Sequence, residues 1–227
     1  MTHEWPDFVF RDTDLTQRNT KPLALELANE VREDSAQPFN EAIELATVLR
    51  QGSLALRVNN IDAVKDDTVG MLFALPDRDR FDIVVDPRTP KRVAPMLCGS
   101  DTDKKIYRQR RKRHITCHEI GHTFSYIRAQ GQEPQATYYR PPHNDYSYSS
   151  EQQRIAYKTR DGLVEKFCEE FARQLLVPKE SLRRMNNPER VAKKFNVSLA
   201  LAALSISGRP MVIISSQDPS RWFYVAP

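Results

Sequence analysis

The sequence predicts an α+β fold: a small antiparallel sheet, a long helix, a second helix with a strong apolar face, then short helices and a C-terminal hairpin. Three observations carry this. Short β-rich runs at Leu54 to Val58, Val69 to Leu75 and Phe81 to Val85 are broken by Asn59-Asn60 and Pro76-Asp77 turn chemistry. Asp101 or Asp103 can cap a helix that reaches about Arg128. Helical periodicity returns from Asp161 to Val177 and stops at Pro178, which cannot continue a helix.

In chain order, the first twenty residues read as an irregular arm. Two supporting helices follow: Lys21 to Arg32, with Leu23, Leu25, Leu27 and Val31, and Asn40 to Arg50, with Ala42, Ile43, Leu45, Ala46 and Leu49. The three β-rich runs come next, and Phe81 to Val85 is expected to offer an edge to which an extended substrate adds. A loop through Pro87, Pro90 and Pro95 leads into the long helix. Residues 129 to 159 are polar and rich in Tyr, Pro, Gln and Ser, and read as a substrate-proximal loop. After the second strong helix, short helices are expected at Pro188 to Phe195 and Ser198 to Ser205, and Met211 to Ile214 with Trp222 to Val225 suggest the hairpin. The chain divides into an N-terminal arm with supporting helices (1–52), a core (53–185) and a small helical element with the hairpin (186–227).

Its 227 residues suffice for one catalytic domain with a small appendage. A hydrophobic fraction of 40% with 28% charged residues fits a well-solvated globular chain and excludes a fibre. No segment approaches the roughly 18 apolar residues of a membrane helix, and the N-terminus lacks the pattern of a secretory signal. Cys98, Cys117 and Cys168 are odd in number and form no C-x-x-C pair, which argues against a disulfide framework and points to a reducing cytoplasm. A net charge of +4 permits nucleic acid as a partner without requiring it.

The chemistry is concentrated in His118-Glu119-Ile120-Gly121-His122. Residues i and i+4 stack on one helix face, so the two imidazoles can share a metal ion. Glu119 lies about 100° round the helix, near enough to take a proton from water activated at that ion. Neutral imidazoles suit zinc, which acidifies water and polarises a carbonyl. The flanking Ile115, Thr116, Cys117, Thr123 and Phe124 are uncharged, as expected of a helix buried on the side that carries the site. The competing reading is a half-exposed helix with two surface histidines. H-E-x-x-H with a third ligand defines the zincin type of metallopeptidase, with one Zn2+ per chain.

A catalytic zinc site takes three protein ligands and keeps a position open. His114 shares the face of His118, but one straight helix cannot wrap three ligands round an ion; His3 and His143 are distant alternatives. The better candidate is on the second strong helix, whose stripe comprises Val164, Phe167, Cys168, Phe171, Ala172, Leu175 and Leu176. Glu165 and Glu169 lie on one edge of that stripe, a like-charge pair that a cation would relieve. In this arrangement Glu165 binds the metal and Glu169 accepts a hydrogen bond from a ligand histidine. The ordinary alternative pairs Glu169 with Arg173 and Lys166 with Glu170 in solvated salt bridges.

Both motifs, in this order, resemble the ImmA/IrrE family of zinc metallopeptidases. There an H-E-x-G-H helix precedes a segment of the form E-x-x-A-N-x-F-A-x-x-L-L-x-P. This chain matches at Glu165, Phe171-Ala172, Leu175-Leu176 and Pro178, with Cys168 for the usual alanine and Glu169 for the usual asparagine. The resemblance covers about Val69 to Ser207, including the stretch Val191 to Ser198. It implies a zincin-like fold and, as substrate, a specific cytoplasmic transcriptional repressor of the helix-turn-helix kind.

Other features fall outside this constellation. Arg108-Gln109-Arg110-Arg111-Lys112-Arg113-His114 could dock an acidic partner or a phosphate backbone, although a solvated helix face accounts for it without interleaved aromatics. The helices from Pro188 to Ser205 have a helix-turn-helix outline, but Leu199 to Ile206 offers almost no base-reading side chains and reads as packing. Tyr138, Tyr139, Tyr146, Tyr148, Tyr157 and His143 are candidates to donate to a developing oxyanion. Cys117 and Cys168 read as small core residues. The rival function is a non-proteolytic metal-binding regulator that binds a repressor or nucleic acid. A deformylase-like hydrolase lacks support, since Cys98-Gly99 reverses the Gly-Cys order such sites carry.

Overall fold

The computed structural model describes residues 15–16, 18–52, 54–58, 70–75, 80–85, 101–125, 136–139, 160–207, 211–214 and 222–225. Helix α1 (Thr20–Asp34) and α2 (Leu45–Gln51) precede strands β1 (Leu54–Val58), β2 (Gly70–Leu75) and β3 (Arg80–Val85). The long helix α3 (Asp101–Ser125) and strand β4 (Ala136–Tyr139) follow. Then come α4 (Arg160–Leu176), a short 3-10 segment (Lys179–Arg184), α5 (Pro188–Phe195), α6 (Leu199–Ser207) and the hairpin strands β5 (Met211–Ile214) and β6 (Trp222–Val225). The class is α+β. The proline loop and most of the N-terminal arm lie outside the described residues.

The apolar stripe on α4 is buried as its period requires: Phe167, Cys168, Phe171, Ala172, Leu175 and Leu176 are all fully enclosed. α1 turns Ala24, Leu27, Ala28 and Val31 onto α4, while α3 packs against α4 on one side and against β2, β3 and β4 on the other. The order of layers is therefore sheet, α3, α4, α1. Phe124 of α3 meets Phe171 of α4 at a centroid distance of 5.2 Å, and Phe171 stacks on Phe167 at 6.0 Å. Each fully buried ring contributes about 1.5–3 kcal/mol of hydrophobic stabilisation.

The sheet departs from the antiparallel expectation. Its order is β1-β3-β2-β4, with β1 parallel to β3 and the other pairs antiparallel. β2 and β3 close as a local hairpin, and β4 occupies the other side of β2, so the remaining place for β1 is beside β3. That makes β3 an interior strand, buried on both faces at Asp82, Ile83, Val84 and Val85. Phe81 to Val85 is thus not the edge expected for a substrate; the outer strands are β1 and β4. β4 itself arises inside the stretch taken for a loop. Its Thr137-Tyr138-Tyr139 has high strand propensity, and the polar residues around it hide the pattern.

The second supporting helix begins at Leu45, five residues later than its periodicity suggests. The carbonyls before it are taken by arginines from other helices: Arg32 donates to Pro38 and Glu41, and Arg113 donates to Ile43 at 3.0 Å. Carbonyls held by a guanidinium need no helical turn to satisfy them. The late helices are locally specified. Asn187 accepts from the Glu189 and Arg190 amides to cap α5, Asn196 ends it at φ 52°, and Ser198 accepts from Leu201 to open α6. α6 buries Leu201, Ala202 and Ala203, in keeping with a packing element. Among the described residues no helix is long and apolar enough to cross a membrane.

Candidate metal centre

α3 presents two working faces one residue apart. Toward the sheet it turns Ile115 and Glu119, which come so close to β2 that a Cβ on Gly70 would stand 2.3 Å from Glu119 Oε1 and 2.7 Å from Ile115 Cγ2. Only glycine admits both at that point of the strand. Toward α4 it turns His118, Gly121 and His122. A Cβ on Gly121 would stand 3.0 Å from the Cα of Cys168, so the bare backbone lets the two helices approach.

The approach brings together residues 47 apart in sequence. His118 Nε2 lies 3.2 Å from Glu165 Oε2, His122 Nε2 lies 3.3 Å from Glu165 Oε1, and the two Nε2 atoms are 3.2 Å from each other. Glu169 reaches the outer nitrogen of the first histidine, Nδ1 of His118, at 3.5 Å, and its second oxygen lies 3.3 Å from His114 Nε2. His118, Glu119 and His122 are buried, whereas Glu165 and Glu169 keep 33% and 28% of their side chains exposed. The centre therefore has a wet side formed by α4 and a dry side formed by α3. Of the ordinary salt bridges, the one between Glu169 and Arg173 is replaced: Arg173 binds Glu170, and Gln174 also donates to Glu170.

Electrostatics follow from this enclosure. Burial disfavours a charge on His118, but its contacts with Glu165 and Glu169 prevail and draw its pKa up to about 10. Burial holds His122 below its usual value. Burial opposes ionisation of Glu165 as well, yet the two imidazoles bring it down to about 2, and Glu169, beside His114 and His118, falls well below the usual carboxylate range. Glu119 is different: burial raises it to about 8, and neither of its oxygens has a hydrogen-bond partner among the described residues. Burial, then the neighbouring carboxylates, pushes the Cys168 thiol well above its ordinary value.

The expected site residues His118, His122, Glu165 and Glu169 are thus gathered at one point, with Glu119 on the adjoining face. His3, His143, Cys98, Tyr146, Tyr148 and Tyr157 lie outside the described residues, while Tyr138 and Tyr139 belong to β4 beside β2. The basic stretch is only partly a solvated face. Arg108 and Gln109 are exposed, but Arg113 binds the Ile43 carbonyl and Arg110 donates to Asn196 Oδ1 at 3.5 Å.

Sequence reasoning passed over one member of the cluster. Cys168 joins His118 and His122 in a buried group whose donor atoms all lie within 4.8 Å of one another, and such a group can hold a metal ion. Its signal was present, since Cys168 follows Glu165 by three residues and so shares its helical face. No protein-family model matches the chain, and no curated protein matches it either.

Proposed function

We propose that this chain is a zinc-dependent endopeptidase with a zincin-like fold, akin to the ImmA/IrrE metallopeptidases. The observation that carries the proposal is the convergence of His118 Nε2, His122 Nε2 and the Glu165 carboxylate at mutual distances of 3.2–3.3 Å. Bonds of about 2.0–2.1 Å in tetrahedral directions place donors about 3.4 Å apart, so this trio fits one zinc ion. The unpartnered, fully buried carboxyl of Glu119 supports the same reading, because a polar group is seldom left unsatisfied without a task.

His118, His122 and Glu165 would hold the ion, which when bound supplies Lewis-acid polarisation of the scissile carbonyl and acidifies water. Glu169, whose carboxylate lies 3.5 Å from Nδ1 of His118, would accept the proton there and so leave Nε2 free to ligate. Glu119 carries the proton. Its burial keeps the carboxyl uncharged near neutral pH in the metal-free protein, and a dication close by favours the carboxylate, which can then take a proton from water and return it to the leaving amine. The substrate class implied by the family resemblance is a helix-turn-helix repressor in the cytoplasm.

The test is purified Glu119→Gln beside wild type, assayed for metal content and for cleavage of a repressor encoded next to the chain. We expect one zinc per chain in both, with cleavage reduced by about 100- to 10,000-fold in the variant. Undiminished cleavage in Glu119→Gln would sink the peptidase mechanism, and zinc retained by Glu165→Gln would sink the ligand assignment.

A further inference from the structure

The mechanism above leaves one donor at the centre unused. Cys168 is fully buried, and its Sγ lies within 4.8 Å of ring nitrogens on both His118 and His122. Gly121 makes this possible: a Cβ there would stand 3.2 Å from Sγ, so the thiol rises against bare backbone between the two histidines. Around a tetrahedral zinc ion, bonds of about 2.3 Å to sulfur and 2.0–2.1 Å to nitrogen put the two donors about 3.6 Å apart. Since the donors are at most 4.8 Å apart, a gap of no more than about 1 Å remains, within the reach of a rotation about the Cys168 Cα–Cβ bond.

We propose that Cys168 is a fourth protein donor to the metal held by His118, His122 and Glu165, and that its thiolate closes the position hydrolysis needs open. The inference rests on the metal-peptidase reading and extends it to regulation of the same site. Three protein ligands leave room for water, whereas four do not. When sulfur binds, the S–H proton goes to solvent and the sulfur–metal bond replaces a metal–water bond; when it withdraws, the reverse occurs. No oxidant or reductant takes part. A soft thiolate also biases the site toward zinc and cobalt over manganese. If Cys168 were only a packing residue, the site would present nitrogen and oxygen donors alone.

Cobalt(II) titrated into the metal-free full-length chain separates the two. Visible d–d bands report a tetrahedral ion, and a near-ultraviolet thiolate-to-cobalt charge-transfer band reports sulfur. We expect both in wild type and in Cys117→Ala, and visible bands alone in Cys168→Ala and in Cys168→Ser, which preserves the volume of the side chain. Competition with a chromophoric chelator should show zinc affinity falling in Cys168→Ala by more than the roughly 10- to 100-fold that loss of an outer partner causes, with manganese affinity little changed. Visible bands without charge transfer in wild type would overturn the role of Cys168 and leave the three-ligand reading standing. Absence of both bands would overturn both.

Discussion

Arg32 in α1 and Glu119 in α3 are both fully enclosed ionisable side chains, and the protein treats them in opposite ways. All three nitrogens of the Arg32 guanidinium meet main-chain oxygen: Nε donates to Leu175 at 2.9 Å, Nη1 to Pro38 at 2.5 Å, and both terminal nitrogens approach Glu41. Burial lowers its pKa only to about 10, so it stays charged and ties α1, the end of α4 and the segment before α2 together. Glu119 has no hydrogen-bond partner for either oxygen among the described residues, and its carboxyl is pushed up to about 8. A buried charge that is fully satisfied belongs to the scaffold. A carboxyl with both oxygens left unsatisfied calls for another reason, and chemistry is one.

The sharpest way to break this contrast is at Arg32. Arg32→Met should lower unfolding stability by about 2–4 kcal/mol, because it removes the donor to the buried Leu175 carbonyl and to the partly buried Pro38 and Glu41 carbonyls, and denaturant melts measure it directly. A loss below about 1 kcal/mol would show that the guanidinium network is not what holds these elements.

Gly121→Ala should cost less, about 1–3 kcal/mol, since the added methyl meets the backbone of Cys168 and must spread α3 from α4. Metal affinity should fall with it, which chelator competition would reveal. Unchanged affinity would mean that the two helices reach the centre independently.

At Glu119 the effect depends on pH and is smallest in acid. Its folded pKa of about 8 lies above the unfolded 4.5, so its contribution to the stability of the metal-free protein is complete below pH 4.5 and is lost as pH rises through about 8. Glu119→Gln should therefore match wild type within about 0.5 kcal/mol at pH 4 and become the more stable of the two by pH 8. A constant difference across that range would mean that the carboxyl has a partner after all.

Much of this was legible in the residues. The limits of α5, of β1 and of the hairpin strands coincide with their sequence patterns, because caps, turns and periodicity act over a few neighbours. The pairing of His118 with His122 is equally local, set by one helical turn. The α4 stripe correctly gave the buried face of that helix and placed Glu165 and Glu169 at its border. It could not say which helix would lie there.

What only the tertiary structure decided are the contacts between distant segments. The parallel pairing of β1 with β3, and with it the loss of β3 as an edge, depends on which strand sides the hairpin and β4 leave free. The polar flanks of β4 conceal a strand that exists because β2 had a side to offer. The late start of α2 depends on arginines contributed by α1 and α3. At the centre, sequence supplied two imidazoles and two carboxylates on separate helices. The close approach at Gly121 placed their donors within 3.5 Å and drew Cys168 in beside them. Periodicity fixes the direction in which a side chain leaves its helix, but the distance to its partner is set by how closely the two backbones can pack.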